Sequence, residues 1–182
     1  MILPKSKNHL KPPKMKKFLL MATMLLTIGA VNAQNHIMAY DGSSSGGKGL
    51  FTIVGNNIMT YDGSSSGGRG IYTIVGNNIM TYDGSSSGGR GVATINGNNI
   101  MNYDGSSSGG RGIATIAGNN VMAYDGSSSG GSGIATKVDS HLKKYDGSSS
   151  GGTGILTFKD PYMSKATFAA ILLAKGIIWS NN

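Results

Sequence analysis

The sequence predicts an all-β protein: a tandem array of six 21-residue β-hairpin repeats, a meander or β-solenoid-like ladder, capped by a short C-terminal helix. Three observations carry this. The heptapeptide Asp-Gly-Ser-Ser-Ser-Gly-Gly starts at Asp41, Asp62, Asp83, Asp104, Asp125 and Asp146, a strict 21-residue period. Self-similarity at a fixed period of this size marks a repeat architecture. Each block also holds two short runs rich in Ile, Val, Thr and Tyr, bounded by Gly, Asn, Asp and Ser, as strands are. No block shows the 3.6-residue apolar period of a helical repeat.

The first 33 residues read as a signal peptide. Lys14, Lys16 and Lys17 form a basic start, and Phe18 to Ala30 is an apolar run of 13 residues. Val31-Asn32-Ala33 then supplies compact residues before a cut at Gln34. The run is too short for a membrane span, which takes about 18 residues or more. Met15 offers an alternative start, since Met15-Lys16-Lys17 opens a compact leader by itself. This segment resembles the export signals of Gram-negative bacteria, and Gln after the cut is common in Bacteroidetes. The expected location is therefore outside the cytoplasm: extracellular, cell-surface or periplasmic.

Charge follows the leader. Six of the 16 basic residues and none of the eight acids precede Gln34, leaving 10 against 8, a net charge of +2. A near-neutral Gly/Ser-rich exterior does not build the basic stripe that phosphate neutralisation needs, so nucleic acid is not an expected partner. With no cysteines, disulfides cannot hold the fold.

The repeats occupy residues 34–159. In the second block the strand runs are Ile58 to Tyr61 and Ile71 to Val75. Gly55-Asn56, and its equivalents Gly76-Asn77, Gly97-Asn98 and Gly118-Asn119, read as two-residue hairpin turns, Gly supplying positive φ. Asp139-Ser140 is a weaker version. The other connection, the Ser-rich heptapeptide, is longer and looser, with its Asp expected to accept a bond from two residues on. With Gly55-Asn56 as the turn, Ile53 faces Ile58, Thr52 faces Met59, Phe51 faces Thr60 and Leu50 faces Tyr61. Leu50, Thr52, Met59 and Tyr61 then share one face, nearly unchanged across the array. The other face carries Ile53, Ile58 and the two most variable series: Phe51, Tyr72, Ala93, Ala114, Ala135, Leu156, and Ala39, Thr60, Thr81, Asn102, Ala123, Lys144. The uniform face is expected to be the more deeply packed. Like-charge repulsion along a stacked Asp row favours hairpins over a solenoid. Lys48, Arg69, Arg90 and Arg111, seven residues after their Asp, are placed to offset that row.

The last block is degenerate, as terminal repeats are. Residues 160–182 then form a helical cap. Asp160-Pro161 reads as an N-cap and first helical position, Tyr162 to Lys175 as the helix, and Gly176 as its stop. The expected role is a lid over the open end of the array.

No catalytic, cofactor or metal constellation stands out. Asp62, Ser64, Ser66 and Gly67 match the opening of a calcium loop, but Thr73 stands where the bidentate acid belongs. The histidines after the leader, His36 and His141, lie in opposite end blocks. No enzyme is expected. The candidate binding edge comprises Asp62, Ser64, Ser66, Arg69, Asp83, Arg90, Asp104 and Arg111, with the regular tyrosines Tyr61, Tyr82 and Tyr103. In unit length and hairpin construction the array resembles the choline-binding repeats of Gram-positive surface proteins, although their Trp/Tyr cages are not reproduced: the single Trp, Trp179, lies outside the array. It also resembles, more loosely, curli subunits, whose Ser/Gln/Asn ladders are absent here. Three functions follow as expectations. The first is a secreted or surface protein with a structural or adhesive role, presenting a row of identical Ser/Gly loops. The others are a glycan- or cell-wall-binding repeat module and a fibril-forming subunit whose partners are copies of itself.

Overall fold

The computed structural model describes residues 35–180. The leader reading lies outside these residues. Twelve short strands form: β1 (Asn35–Ala39), β2 (Gly49–Val54), β3 (Asn57–Thr60), β4 (Gly70–Val75), β5 (Asn78–Thr81) and β6 (Gly91–Asn96) make the first half. β7 (Asn99–Asn102), β8 (Gly112–Ala117), β9 (Asn120–Ala123), β10 (Gly133–Val138), β11 (His141–Lys144) and β12 (Gly154–Phe158) make the second, and helix α1 (Lys165–Lys175) follows. Every strand pairs antiparallel with its sequence neighbours, and β1 pairs with β12, so the array closes into a barrel. Antiparallel ladders throughout select the meander over the solenoid. Closure leaves no free strand edge in the barrel.

The tight turns set the register as the sequence predicts: Phe51 faces Thr60, Thr52 faces Met59 and Ile53 faces Ile58. The turn glycines Gly55, Gly76, Gly97 and Gly118 all have φ of 58–61°. Leu50 departs from the predicted face. On its other side each long strand carries a register shift: Ile58 faces Tyr72 but Met59 faces Gly70, so Ile71 is an extra residue. The same bulge recurs at Leu50, Val92, Ile113, Ile134 and Ile155. A bulge re-aims its side chains and raises local twist. Here it turns an aliphatic residue towards the core in every block, and six of them give the sheet the coiling that closure requires.

The core lies inside the barrel. Ile37, Ile58, Ile79, Ile100, Val121 and Leu142 form a ring with at most 1% exposure. α1 fills the lumen. Ala169, Ala170, Ile171 and Leu172 are consecutive and all fully buried, so the helix is enclosed on every side. It lies nearest β4, with β3, β5 and β6 beside it. Phe168 meets Phe158 of β12 with ring centroids 6.0 Å apart. Its ends mark the two rims. Lys165 donates to Asn98 Oδ1 (2.6 Å) and Gly97 O (3.2 Å) at the tight-turn rim, and Ser180 Oγ donates to Val92 O (3.1 Å) at the Ser-loop rim. Lengths match: six strand residues span about 20 Å and an 11-residue helix about 16 Å.

Two expectations are thereby corrected. The helix is a plug within the barrel rather than a lid over its end. It also starts at Lys165, not Tyr162. Ser164 is the N-cap, accepting from Thr167 N (3.0 Å), while Asp160 Oδ1 accepts from Tyr162 N (2.8 Å) in a turn that leads from β12 into the lumen. Gly176 ends the helix as expected, at φ 72°, with Ile177 N bonded to Leu172 O and Gly176 N to Leu173 O.

The face assignment is corrected: the variable series lines the inner wall, and Thr52, Met59 and Tyr61 of the uniform series face outward, Leu50 being turned inward by its bulge. The physical reason is symmetry. Outward residues meet copies of the same neighbours in every block. Inward residues meet a single helix that looks different from each strand, so the same level holds Phe51, Tyr72 and Leu156 on some strands and Ala93, Ala114 and Ala135 on others.

Candidate interaction surface: a crown of six loops

All six Ser-rich loops rise from one rim. Like loops sit two strand spacings apart, about 10 Å. The same Asp-to-Ser bonds build all six, and the last five add a contact between their first and third serines. Asp62 Oδ1 accepts from Ser64 N (2.9 Å) and Ser64 Oγ (2.7 Å), and Ser64 Oγ lies 3.0 Å from Ser66 Oγ. Asp83 and Asp104 repeat these bonds with Ser85 and Ser106. At the neck, Gly68 N donates to Thr60 O and Thr60 N donates to Arg69 O, both 2.8 Å. The loop thus has a defined geometry set by its own bonds, where the sequence suggests a looser segment.

The second half of each loop folds down over the outer wall. Gly67, at φ 65°, has the place where its Cβ would stand only 2.6 Å from Met59 Cβ and 3.2 Å from Thr52 Cβ. This roof explains why Thr52, Thr73, Thr94, Thr115, Thr136 and Thr157 are buried although they point outward. Their hydroxyls are satisfied. Thr73 Oγ1 donates to Asn57 Oδ1 at 3.0 Å, and Thr94, Thr115 and Thr136 do the same to Asn78, Asn99 and Asn120. At the two ends His36 and His141 stand in the Asn position, each with Nδ1 3.2 Å from Thr52 or Thr157 Oγ1. Ring closure brings these end blocks together at the seam, which the linear sequence conceals. Each imidazole also meets a Tyr edge-to-face, His36 with Tyr61 at 5.1 Å and His141 with Tyr40 at 5.2 Å.

The tyrosines have a structural position. Tyr61, Tyr82 and Tyr103 lie flat over Gly49, Gly70 and Gly91 of the adjacent strand, where any Cβ would overlap the ring. Tyr40 covers Gly154 and so closes the same ring across the seam. An aromatic laid on a strand glycine restores the packing that glycine lacks.

The remaining candidates are rim residues. Asp62, Ser64, Ser66, Arg69, Asp83, Arg90, Asp104 and Arg111 are exposed. The Arg side chains do not offset the Asp row. Hydrogen bonds from Ser64 hold the Asp62 carboxyl below its ordinary pKa, and those from Ser85 and Ser106 do so for Asp83 and Asp104. A nearby cation contributes only at the seam-side loops, Lys159 at Asp41 and Lys143 at Asp146. Ser64 and Ser66 are engaged within the loop. The middle serine, Ser65, and its equivalents Ser44, Ser86, Ser107, Ser128 and Ser149 stand outside that network and are exposed. The signal was present in the sequence: the Asp-x-Ser spacing commits the first and third loop positions to each other.

Among the described residues no group of three His, Cys, Asp or Glu is placed to hold a metal ion, and no helix is long and apolar enough to cross a membrane. The strands are four to six residues long, whereas membrane strands need about 9–11. Comparison with protein-family models, curated proteins and solved structures finds no match.

Proposed function

We propose that the protein is an exported structural or adhesive component that presents the crown of loops as a multivalent surface. The observation that carries this is the repetition of one hydrogen-bonded loop geometry around a rim, with the middle serine exposed each time. Weak contacts repeated on a stiff frame add through effective concentration, and a barrel packed around a central helix supplies that frame. The leader supports export. The fibril reading is weakened by closure, since recruitment at a sheet edge needs an unpaired strand. Glycan binding by the Tyr row is weakened because those rings are laid on glycines.

The test is a graded one. The middle serine is replaced by Asp in one, three or all six loops, and protein-coated beads are scored for retention on bacterial cells and on extracellular polysaccharide. Retention should fall more steeply than in proportion to the loops changed. Retention that ignores loop number, or none by the unaltered protein, would overturn the proposal.

A further inference from the structure

One place on the loop rim breaks the six-fold pattern. The chain leaving α1 emerges there, and a groove of about 270 Å3 forms between Tyr72, Thr81, Arg90, Trp179 and Ser180. Its floor is apolar, from Val92, Leu173 and Ile178. Trp179 is 74% exposed, although Ile178 beside it is 3% exposed. Trp is a highly buried residue on average, so an indole left out while its neighbour anchors the chain is notable. One face of the ring has a seat: Gly176 has the place of its Cβ 3.2 Å from Trp179 Cη2, so the indole rests on the bare helix stop.

The polar groups around it have capacity left. Ser180 Oγ donates to Val92 O (3.1 Å) and keeps its lone pairs. Thr81 Oγ1 accepts from Arg90 N (2.8 Å) and keeps its proton. Burial raises the Tyr72 pKa, so its hydroxyl stays a neutral donor and acceptor. The exposed Arg90 guanidinium adds a fork that fits a carboxylate.

We propose that this groove is a binding site for one sugar ring that carries a carboxylate, a uronic-acid-type residue of an acidic polysaccharide. The apolar face of the ring would stack on the indole, hydroxyls would meet Thr81, Ser180 and Tyr72, and the carboxylate would meet Arg90. A quaternary ammonium fits less well, because Arg90 repels it and one open indole is not a cage. The site cannot repeat around the rim. Phe51, Ala93, Ala114, Ala135 and Leu156 occupy the places equivalent to Tyr72 and bring no hydroxyl, and the helix emerges once. This inference is independent of the crown, which needs neither Trp179 nor Tyr72.

Trp179 is the single tryptophan of the chain, so its emission reports the groove directly. The protein is titrated with glucuronate, glucose and acetate. A saturable change with glucuronate at millimolar midpoint, weaker with glucose and absent with acetate, is the expected result. Arg90→Gln should weaken glucuronate about tenfold, the cost of one charge-assisted bond, and leave glucose unchanged. Trp179→Ala, followed by calorimetry, should abolish both while circular dichroism stays unaltered. No saturable change, an equal response to acetate, or emission that shifts with protein concentration alone would overturn the site, the last in favour of a second copy.

Discussion

The outer wall and the lumen wall of this barrel come from the same strands and obey different rules. Outward positions are nearly invariant: Thr73, Thr94 and Thr115 make the same bond to an Asn, and Tyr82, Tyr103 and Tyr124 cover the same glycine. Inward positions vary from Phe51 to Ala93 at one level. A repeated shell tolerates repetition because each block's neighbour is itself. A shell that holds one helix must depart from repetition on its inner side. Variability here therefore marks the lumen wall at the level of Phe51, and uniformity marks the outer wall, whose threonines the loops bury.

The comparison is broken most severely by removing what makes the lumen asymmetric. Ending the chain at Lys159 deletes α1 and leaves the apolar ring from Ile37 to Leu142 around an empty space. The truncated protein is expected not to fold, read as loss of the strand signal in circular dichroism or as aggregation on size exclusion. A milder version is Leu172→Ala, at a fully buried position, which should cost about 2–5 kcal/mol in urea unfolding. A truncated barrel with unchanged stability would mean that the lumen does not depend on its plug.

On the outer wall the corresponding change is Gly70→Ala. Gly70 has no positive φ, so the backbone accepts Ala, and the whole cost comes from the Tyr82 ring that the new Cβ would overlap. Overpacking of this kind costs about 1–3 kcal/mol. Tyr82→Ala in the same chain should recover part of it, and a double-mutant cycle isolates that coupling. Purely additive effects would show that the ring does not lie on Gly70. The same change at Gly91 against Tyr103 should cost a similar amount, because outer positions are equivalent.

Acid should act on the crown before it acts on the wall. Six of the eight carboxylates are the loop Asp residues, and serine hydrogen bonds lower their folded pKa values. Their unfolded value is about 3.9. A depressed folded pKa gives stability that is present above the unfolded value and lost as pH falls through the folded one. The urea midpoint should therefore be level from neutral pH to about 5 and fall below about 4. Replacing all six Asp by Asn should flatten that limb. An unchanged acid limb would show that the loop bonds contribute nothing to folding.

Much of this was legible in the residues. The 21-residue period, the Gly-Asn turns and the Asp-x-Ser bond depend on contacts within one block, and Ile53 faces Ile58 as turn chemistry alone dictates. What depended on the ring was hidden. No local signal says that β1 meets β12, so His36 and His141 read as distant. The bulges at Ile71 and Val92 look like ordinary strand residues. The helix run from Phe168 to Leu173 is apolar all round, the mark of a helix enclosed in a core. The lumen became visible only on closure, and with it the place where Trp179 emerges.

The smallest expected effect lies at the one tight turn that departs from the pattern. Asp139 replaces the turn glycine and is the only described non-glycine residue with positive φ, at 52°. A left-handed conformation costs a side-chain-bearing residue about 1–2 kcal/mol, and Gly gives back about 0.5–1 through the freedom of the unfolded chain. Asp139→Gly should therefore stabilise the barrel by about 0.5 kcal/mol, measured as a higher urea midpoint with unchanged slope. Gly118→Asp, the reverse change in the preceding turn, should lower the midpoint by a similar amount. If Asp139→Gly destabilises instead, the carboxylate holds a contact at this rim that the four Gly-Asn turns lack, and the degeneracy of the last block is functional rather than tolerated.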